Sequence, residues 1–225
     1  MTLKNPNSIL IQNEYYPSGL TELDINSYYL SVKKKLLSQI YDRDVILFIN
    51  SKLNNTIIRR HNKVDEYINI NSSTYEKIIH GRVVSIISTM KRIESFGIID
   101  IDYSNFEINK SIVLELINYL EKFKNIENIE VRFTGKTSFH IIVYFKDKQE
   151  IDNIRYFLNK ILSEKFKDKY SISHKRNLSI PNLDLSPNKF RGGFISQYSL
   201  SMIGLRCMKV PLNNIHSFQK EFAKI

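Results

Sequence analysis

Asp100 and Asp102 stand at i and i+2, at the exit of the apolar run 96–101. Side chains alternate along a strand, so both carboxylates project to one face. Two carboxylates this close repel each other unless a cation lies between them. Mg²⁺ or Mn²⁺ suits such a pair, because hard ions prefer oxygen ligands, and sites of this kind serve phosphoryl or nucleotidyl chemistry. The same two residues also describe an ordinary polar strand end with two solvated acids.

A second group follows in residues 131–145, VRFTGKTSFHIIVYF. Thr134, Gly135, Lys136 and Ser138 are what a phosphate-holding turn uses: hydroxyls, a backbone that allows close approach, and one cation. His140 interrupts an otherwise apolar strand two residues from Ser138, so the two share a face. A polar hairpin loop followed by a core histidine is the plain alternative. Walker spacing is absent, which removes an ATPase P-loop.

The third feature is Asp184. Residues 171–225 carry eight bases and two acids, and Asp184 is one of those acids, the other being Glu221. Neighbouring Asn182, Pro187 and Asn188 suit a loop, where an Asp can serve as a turn residue. The whole chain of 225 residues has a formal charge of +10, with 33 Lys+Arg against 23 Asp+Glu. That excess gathers at residues 131–170 (nine bases, five acids) and 171–225, while 71–130, which holds Asp100 and Asp102, has seven bases and nine acids. A polyanionic partner follows from such a balance. The single cysteine, Cys207, excludes an internal disulfide and a cysteine-rich zinc module, and fits a reducing, cytoplasmic setting. No run approaches the length of a membrane span, and the first residues lack a signal-peptide pattern.

The elements that must position these residues are read from periodicity. Residues 21–40 predict a helix, with Thr21 and Asp24 as a cap pair and Leu23, Tyr28, Leu30, Leu36, Leu37 and Ile40 as its stripe. Residues 45–49, 56–60 and 67–70 predict short strands of an antiparallel unit, and 73–80 a short helix ended by Gly81. From residue 96 the pattern reads strand 96–101, a helix from 109 or 111 to 124, strands 129–133 and 139–145, and helix 148–167. Strands are predicted near 178–180, 194–196 and 206–210, and a terminal helix near 214–223. The order β-α-β-β-α-β predicts a ferredoxin-like or RNA-recognition-motif-like core. The expected fold class is therefore mixed α/β (α+β).

Taken together, these segments resemble the archaeo-eukaryotic primase superfamily. FGIIDID (96–102) resembles its first motif, which supplies two metal ligands. FTGKTSFHIIV (133–143) resembles the second, a Ser-Gly-x-x-Gly-x-His hairpin that binds the triphosphate of the incoming nucleotide. NLDLSPNKFRGGFISQYSLSMIGLRCMKVPL (182–212) resembles the third, whose Asp completes the metal site. The resemblance implies that Asp100, Asp102 and Asp184 are catalytic and hold Mg²⁺ or Mn²⁺. It implies that Thr134, Gly135, Lys136, Ser138 and His140 bind the nucleotide. Residues 15–48 are similar to the start of the polymerase domain of bacterial ligase D. Ser199-Leu200 with Gly204-Leu205-Arg206 is similar to the archaeal primase small subunit, which makes Arg191 and Arg206 candidate phosphate contacts. Thr134 replaces the usual Ser and keeps its hydroxyl; Ser138 replaces the second glycine; Ser201 stands where ligase D polymerases have Arg. Residues 83–90 lack the histidine–tryptophan segment of those polymerases, and no zinc knuckle is present.

The implied organisation is one catalytic domain over 1–225. It comprises an N-terminal α/β subregion (1–90) packed with a recognition-motif-like catalytic subregion (91–225). The implied activity is nucleotidyl transfer: a primase or polymerase using NTP or dNTP on a DNA template and primer. Arg59 and Arg60, in the strand-like IIRRH, are candidate template contacts. A large primase subunit, a ligase or a helicase are the partners such an enzyme would have, with no membrane involved. Repair synthesis of the ligase D kind, a two-metal nuclease and a non-catalytic nucleic-acid-binding subunit are the competing readings.

Overall fold

The computed structural model describes residues 7–52, 55–63, 66–172 and 180–225. In chain order the strands and helices are β1 (Ile9–Asn13), β2 (Tyr16–Thr21), α1 (Glu22–Ile40), β3 (Asp44–Lys52), β4 (Asn55–Arg59), β5 (His61–Lys63), β6 (Glu66–Asn69) and α2 (Tyr75–Ile79). There follow β7 (Val83–Thr89), β8 (Ile93–Asp102), α3 (Phe106–Leu120), β9 (Ile126–Phe133), β10 (Phe139–Glu150) and α4 (Ile151–Phe166). The last strands are β11 (Asn182–Asp184), β12 (Gly193–Ile195) and β13 (Met208–Val210). The chain divides into two compact units. The first is 1–89, 193–207 and 219–225; the second is 90–192 and 208–218.

In the first unit, Thr21 caps α1 through a full capping box. Its hydroxyl accepts from the Asp24 amide, and the Asp24 carboxylate accepts from the Thr21 amide at 2.8 Å. Ile25, Tyr29, Leu36 and Ile40 form the buried stripe of α1. The predicted helix over 21–40 is therefore present, although Leu23 and Leu30 from its expected stripe are exposed. A sheet of order β12-β7-β3-β6-β5, with β4 also paired to β3, and a separate β1–β2 pair complete the unit. The Tyr29 hydroxyl donates to the Val84 carbonyl and accepts from the Leu200 amide, joining α1, β7 and the returning segment 193–207. Burial pushes that phenol up to about 12.

Strands β1, β2, β5, β7 and β11 were not expected from the sequence. In β7, VVSIIST, six of seven residues are buried, so the alternation that marks a half-exposed strand is missing. Its interior polar groups are matched instead: Ser88 bonds Ser196, and the Ile86 amide donates to the Ser199 hydroxyl.

The second unit runs β8-α3-β9-β10-α4-β11, the predicted β-α-β-β-α-β order. Its sheet order is β11-β8-β10-β9-β13, antiparallel throughout. The strand predicted near 178–180 lies outside the described residues except for Ile180, which is in no strand. The predicted terminal helix over 214–223 is absent and is replaced by two 3₁₀ turns, Leu212–Asn214 and Lys220–Ala223. The reason is that this segment is shared. Phe218 packs among Phe106, Phe133 and Phe139 in the second unit, while 219–225 belongs to the first. Lys110 Nζ takes the His216 carbonyl at 2.8 Å, a group that a helix would use internally.

Candidate functional site

The sheet of the second unit sorts its residues by parity. Ile99 and Ile101 of β8, Phe139, Ile141 and Val143 of β10, and Val131 and Phe133 of β9 share one buried face. Phe106 of α3 stacks on Phe139, with ring centroids 5.5 Å apart, and meets Phe133 edge-on. On the same face Gly97 lets α4 come close: a Cβ there would stand 2.6 Å from Ile154 and 2.8 Å from Leu158.

The alternate residues point the other way. Register places Asp184 opposite Asp100, Asp100 opposite His140, His140 opposite Arg132, and Arg132 opposite Lys209. Directly opposed residues share a face. One row therefore crosses all five strands, from two acids through an imidazole to two cations. Asp102, two residues along β8 from Asp100, joins that face and accepts from Ser138 Oγ at 3.3 Å.

His140 is 5% exposed, and its Nε2 lies 3.6 Å from Asp100 Oδ1. Burial, reinforced by the Arg132 charge, lowers its pKa to about 3. The ring is therefore neutral near pH 7, and its approach to Asp100 is not an ion pair. Its Nδ1 is buried with no hydrogen-bond partner among the described residues. Arg132 Nε bonds Glu130 Oε1 at 2.5 Å, and Lys209 Nζ meets Glu130 Oε2 at 3.0 Å. Burial works to raise the Glu130 carboxyl, but Arg132 and then Lys209 outweigh it and hold it below its ordinary value.

The hairpin between β9 and β10 ends beside this row. Thr134 closes the turn twice, its amide and its hydroxyl both donating to the Ser138 carbonyl at 3.1 and 3.0 Å. Gly135 has φ of 93°, a left-handed conformation that favours glycine. Lys136 is exposed at the tip. Buried Asn109, in the first turns of α3, donates to the Tyr103 and Thr137 carbonyls at 2.9 Å each. One amide thus ties the end of β8 to the hairpin.

Asp184 closes its own turn, accepting from the Ser186 amide and hydroxyl at 2.7 Å each. Like charges on neighbouring register positions repel, and two of the three acids, Asp102 and Asp184, accept hydrogen bonds from Ser138 and Ser186. Among the described residues, no three carboxylate, imidazole or thiolate groups converge closely enough to hold a metal as they stand. The donor set still fits Mg²⁺ or Mn²⁺ in kind: three carboxylates on one face, all oxygen ligands.

Asp100, Asp102, Asp184, Thr134, Gly135, Lys136, Ser138 and His140 are thus brought to one sheet face and its adjoining hairpin. Arg191 belongs to the same unit, but its guanidinium stacks on Phe190 at 4.9 Å, as does that of Arg92 at 4.4 Å. Arg206, Arg59 and Arg60 belong to the first unit. There Arg206 Nη2 donates to the Phe222 carbonyl at 3.0 Å, and Arg59 Nε donates to the His61 carbonyl at 3.3 Å. Sequence reasoning missed Arg132, Glu130, Lys209 and Asn109. Parity across the 134–138 turn was the signal for Arg132 and Glu130, since it puts them on the His140 face.

The fold is similar to that of the polymerase domain from Mycobacterium tuberculosis ligase D, solved in complex with DNA. The TM-score is 0.78 at 13% identity, covering 96% of this chain and 88% of that one. At that identity the likeness is one of fold, and it bears out the expected mixed α+β architecture and its resemblance to ligase D polymerases. No protein-family model matches the sequence, and no curated protein matches it. No helix among the described residues is long and apolar enough to cross a membrane.

Proposed function

We propose that the chain is a nucleotidyltransferase, a polymerase that joins a nucleoside triphosphate to a DNA primer end. The observation that carries this reading is the row Asp184–Asp100–His140–Arg132–Lys209, with Asp102 linking it to the hairpin through Ser138. Acids stand at one end, cations at the other, and a hydroxyl-rich turn lies beside them. This is the charge order that a triphosphate with its countercharges needs. The fold likeness to a polymerase domain supports the same reading.

Asp100, Asp102 and Asp184 would hold Mg²⁺ or Mn²⁺, which when bound neutralises phosphate charge and favours ionisation of an attacking hydroxyl. The chain's own groups do the rest. Lys136 offers a cation at the hairpin tip, and Thr134 and Ser138 offer hydroxyls to phosphate oxygens. Neutral His140 can donate one N–H without adding charge next to the acids. Arg132 and Lys209, both paired to Glu130, leave that end of the row with two cations against one carboxylate. Arg191 and Arg206 are the further phosphate contacts in this reading, and Arg59 and Arg60 the template contacts.

Extension of an existing end, as the ligase D likeness supports, is the primary activity in this reading. Primer synthesis is the finer alternative. The test is incorporation of labelled NTP or dNTP with Mg²⁺ or Mn²⁺ on three substrates: a primed template, a gap with a 5′-phosphate, and an unprimed single strand. Products on the first two support end extension, and products on the third support priming. A two-metal nuclease would shorten the strands and would survive Lys136→Ala. A non-catalytic DNA-binding subunit would give no product in any lane.

A further inference from the structure

A cavity of about 410 Å³ lies within the first unit, between the sheet and α2. Buried Leu47, Ile68 and Val83 give it an apolar floor. Arg59 of β4, Lys77 of α2 and His80 at the end of α2 line it as well, together with Asn62 and Asn69. Among the described residues, no acid lines the cavity. Neither Arg59 nor Lys77 has a carboxylate partner among the described residues, and His80 Nδ1 is buried without a hydrogen-bond partner. In the same unit Lys33 is paired with Glu76 and Arg82 with Glu22, each at 2.8 Å.

Two cations with no carboxylate partner among the described residues, over a buried apolar floor, ask for a particular ligand chemistry. A bare inorganic anion would leave the floor uncovered. A purely apolar molecule would desolvate the cations without pairing them, which is costly. A phosphomonoester on a flat, largely apolar body satisfies both, and the volume falls within the usual range of small-molecule sites. We propose that this cavity is a binding site for a nucleoside monophosphate unit. Its phosphate bonds Arg59 and Lys77, its base lies on the Leu47–Ile68–Val83 floor, and the asparagine amides meet the base edge. The cavity belongs to the first unit and the acid row to the second, and the proposal does not rest on the polymerase reading, in which Arg59 would meet a template phosphate instead.

The test uses the full chain, AMP as probe, and adenosine and inorganic phosphate as its separated halves. Binding is read by calorimetry at low salt and by the His80 imidazole signals in NMR spectra. AMP is expected to bind roughly tenfold or more tighter than either half. The Arg59→Ala/Lys77→Ala variant is expected to lose roughly tenfold or more in AMP affinity. Both side chains are exposed, and unchanged circular dichroism checks that the variant is folded. Lys136→Ala removes the hairpin cation and is expected to leave AMP affinity and the His80 shift unchanged. A short single-stranded oligonucleotide, run beside AMP, separates a nucleotide held within a strand from a free one. Absence of AMP binding overturns the proposal. So does equal AMP affinity in the Arg59→Ala/Lys77→Ala variant, or loss of AMP binding in Lys136→Ala.

Discussion

The two faces of the five-stranded sheet are made by alternate residues of the same strands, and they are built differently. Under α3 and α4 lie Phe139, Ile141, Val143, Ile99 and Ile101, all at 0% exposure. On the other side polar His140, Arg132 and Glu130 are nearly as buried, at 5%, 7% and 9%, beside the buried Ile98 and Ile142. The apolar face fixes the strand register, because a slip of one residue would turn every side chain over. That register is what lines Asp184, Asp100, His140, Arg132 and Lys209 into one row. Packing on one side therefore positions chemistry on the other, and the acids need no rigid cage of their own.

This contrast can be broken from either side. Removing charge without touching the packing is expected to have the largest effect. Asp100→Ala/Asp102→Ala should lower nucleotide incorporation by about 10²–10³-fold or more while the melting temperature stays close to wild type. Steady-state incorporation and calorimetry check the two halves of that statement. Opening the helix-covered face should do the reverse: Phe139→Ala should cost about 3–5 kcal/mol in urea unfolding. Any loss of activity should then follow the folded fraction.

Smaller changes sharpen the comparison. Gly97→Ala pushes a methyl into Ile154 and Leu158, both flexible side chains, and should cost about 1–3 kcal/mol by the same measurement. Glu130→Gln leaves Arg132 and Lys209 without their carboxylate and should cost about 1–3 kcal/mol at neutral pH. Its pH signature is more telling. The Glu130 carboxyl is held below its ordinary value in the folded state, so the unfolded chain takes up the proton first as pH falls. The Glu130 contribution is complete above the ordinary carboxylate range and is lost as pH falls through the lowered folded value. Urea midpoints measured from pH 7 down to acid should show a shallower decline in Glu130→Gln than in wild type.

The sequence made the acids and the hairpin legible because both are local. Asp100 and Asp102 share a face by i, i+2 spacing alone, and 134–138 forms a turn within five residues. The β-α-β-β-α-β order was legible for the same reason, since α3, α4, β9 and β10 carry strong periodicity. What stayed hidden was non-local. Placing Asp184 opposite Asp100, 84 residues earlier in the chain, requires the β11–β8 pairing. Arg132 looked like a strand charge among others until its pairing with His140 gave it a neighbour. Strand β7 hid because burial of nearly every residue removed its alternation, and the terminal helix failed because its residues serve two units. Asn109 read as a helix start, and its side chain is instead the tie between β8 and the hairpin.

Primer extension tests the proposed role of the charged face most directly. The wild-type chain and Asp100→Ala/Asp102→Ala, at equal folded concentration, are given a primed DNA template, nucleotide and Mn²⁺. Extension by the wild-type chain and none by the variant is the expected result. Equal extension by both, or none by the folded wild-type chain with either metal, would contradict it.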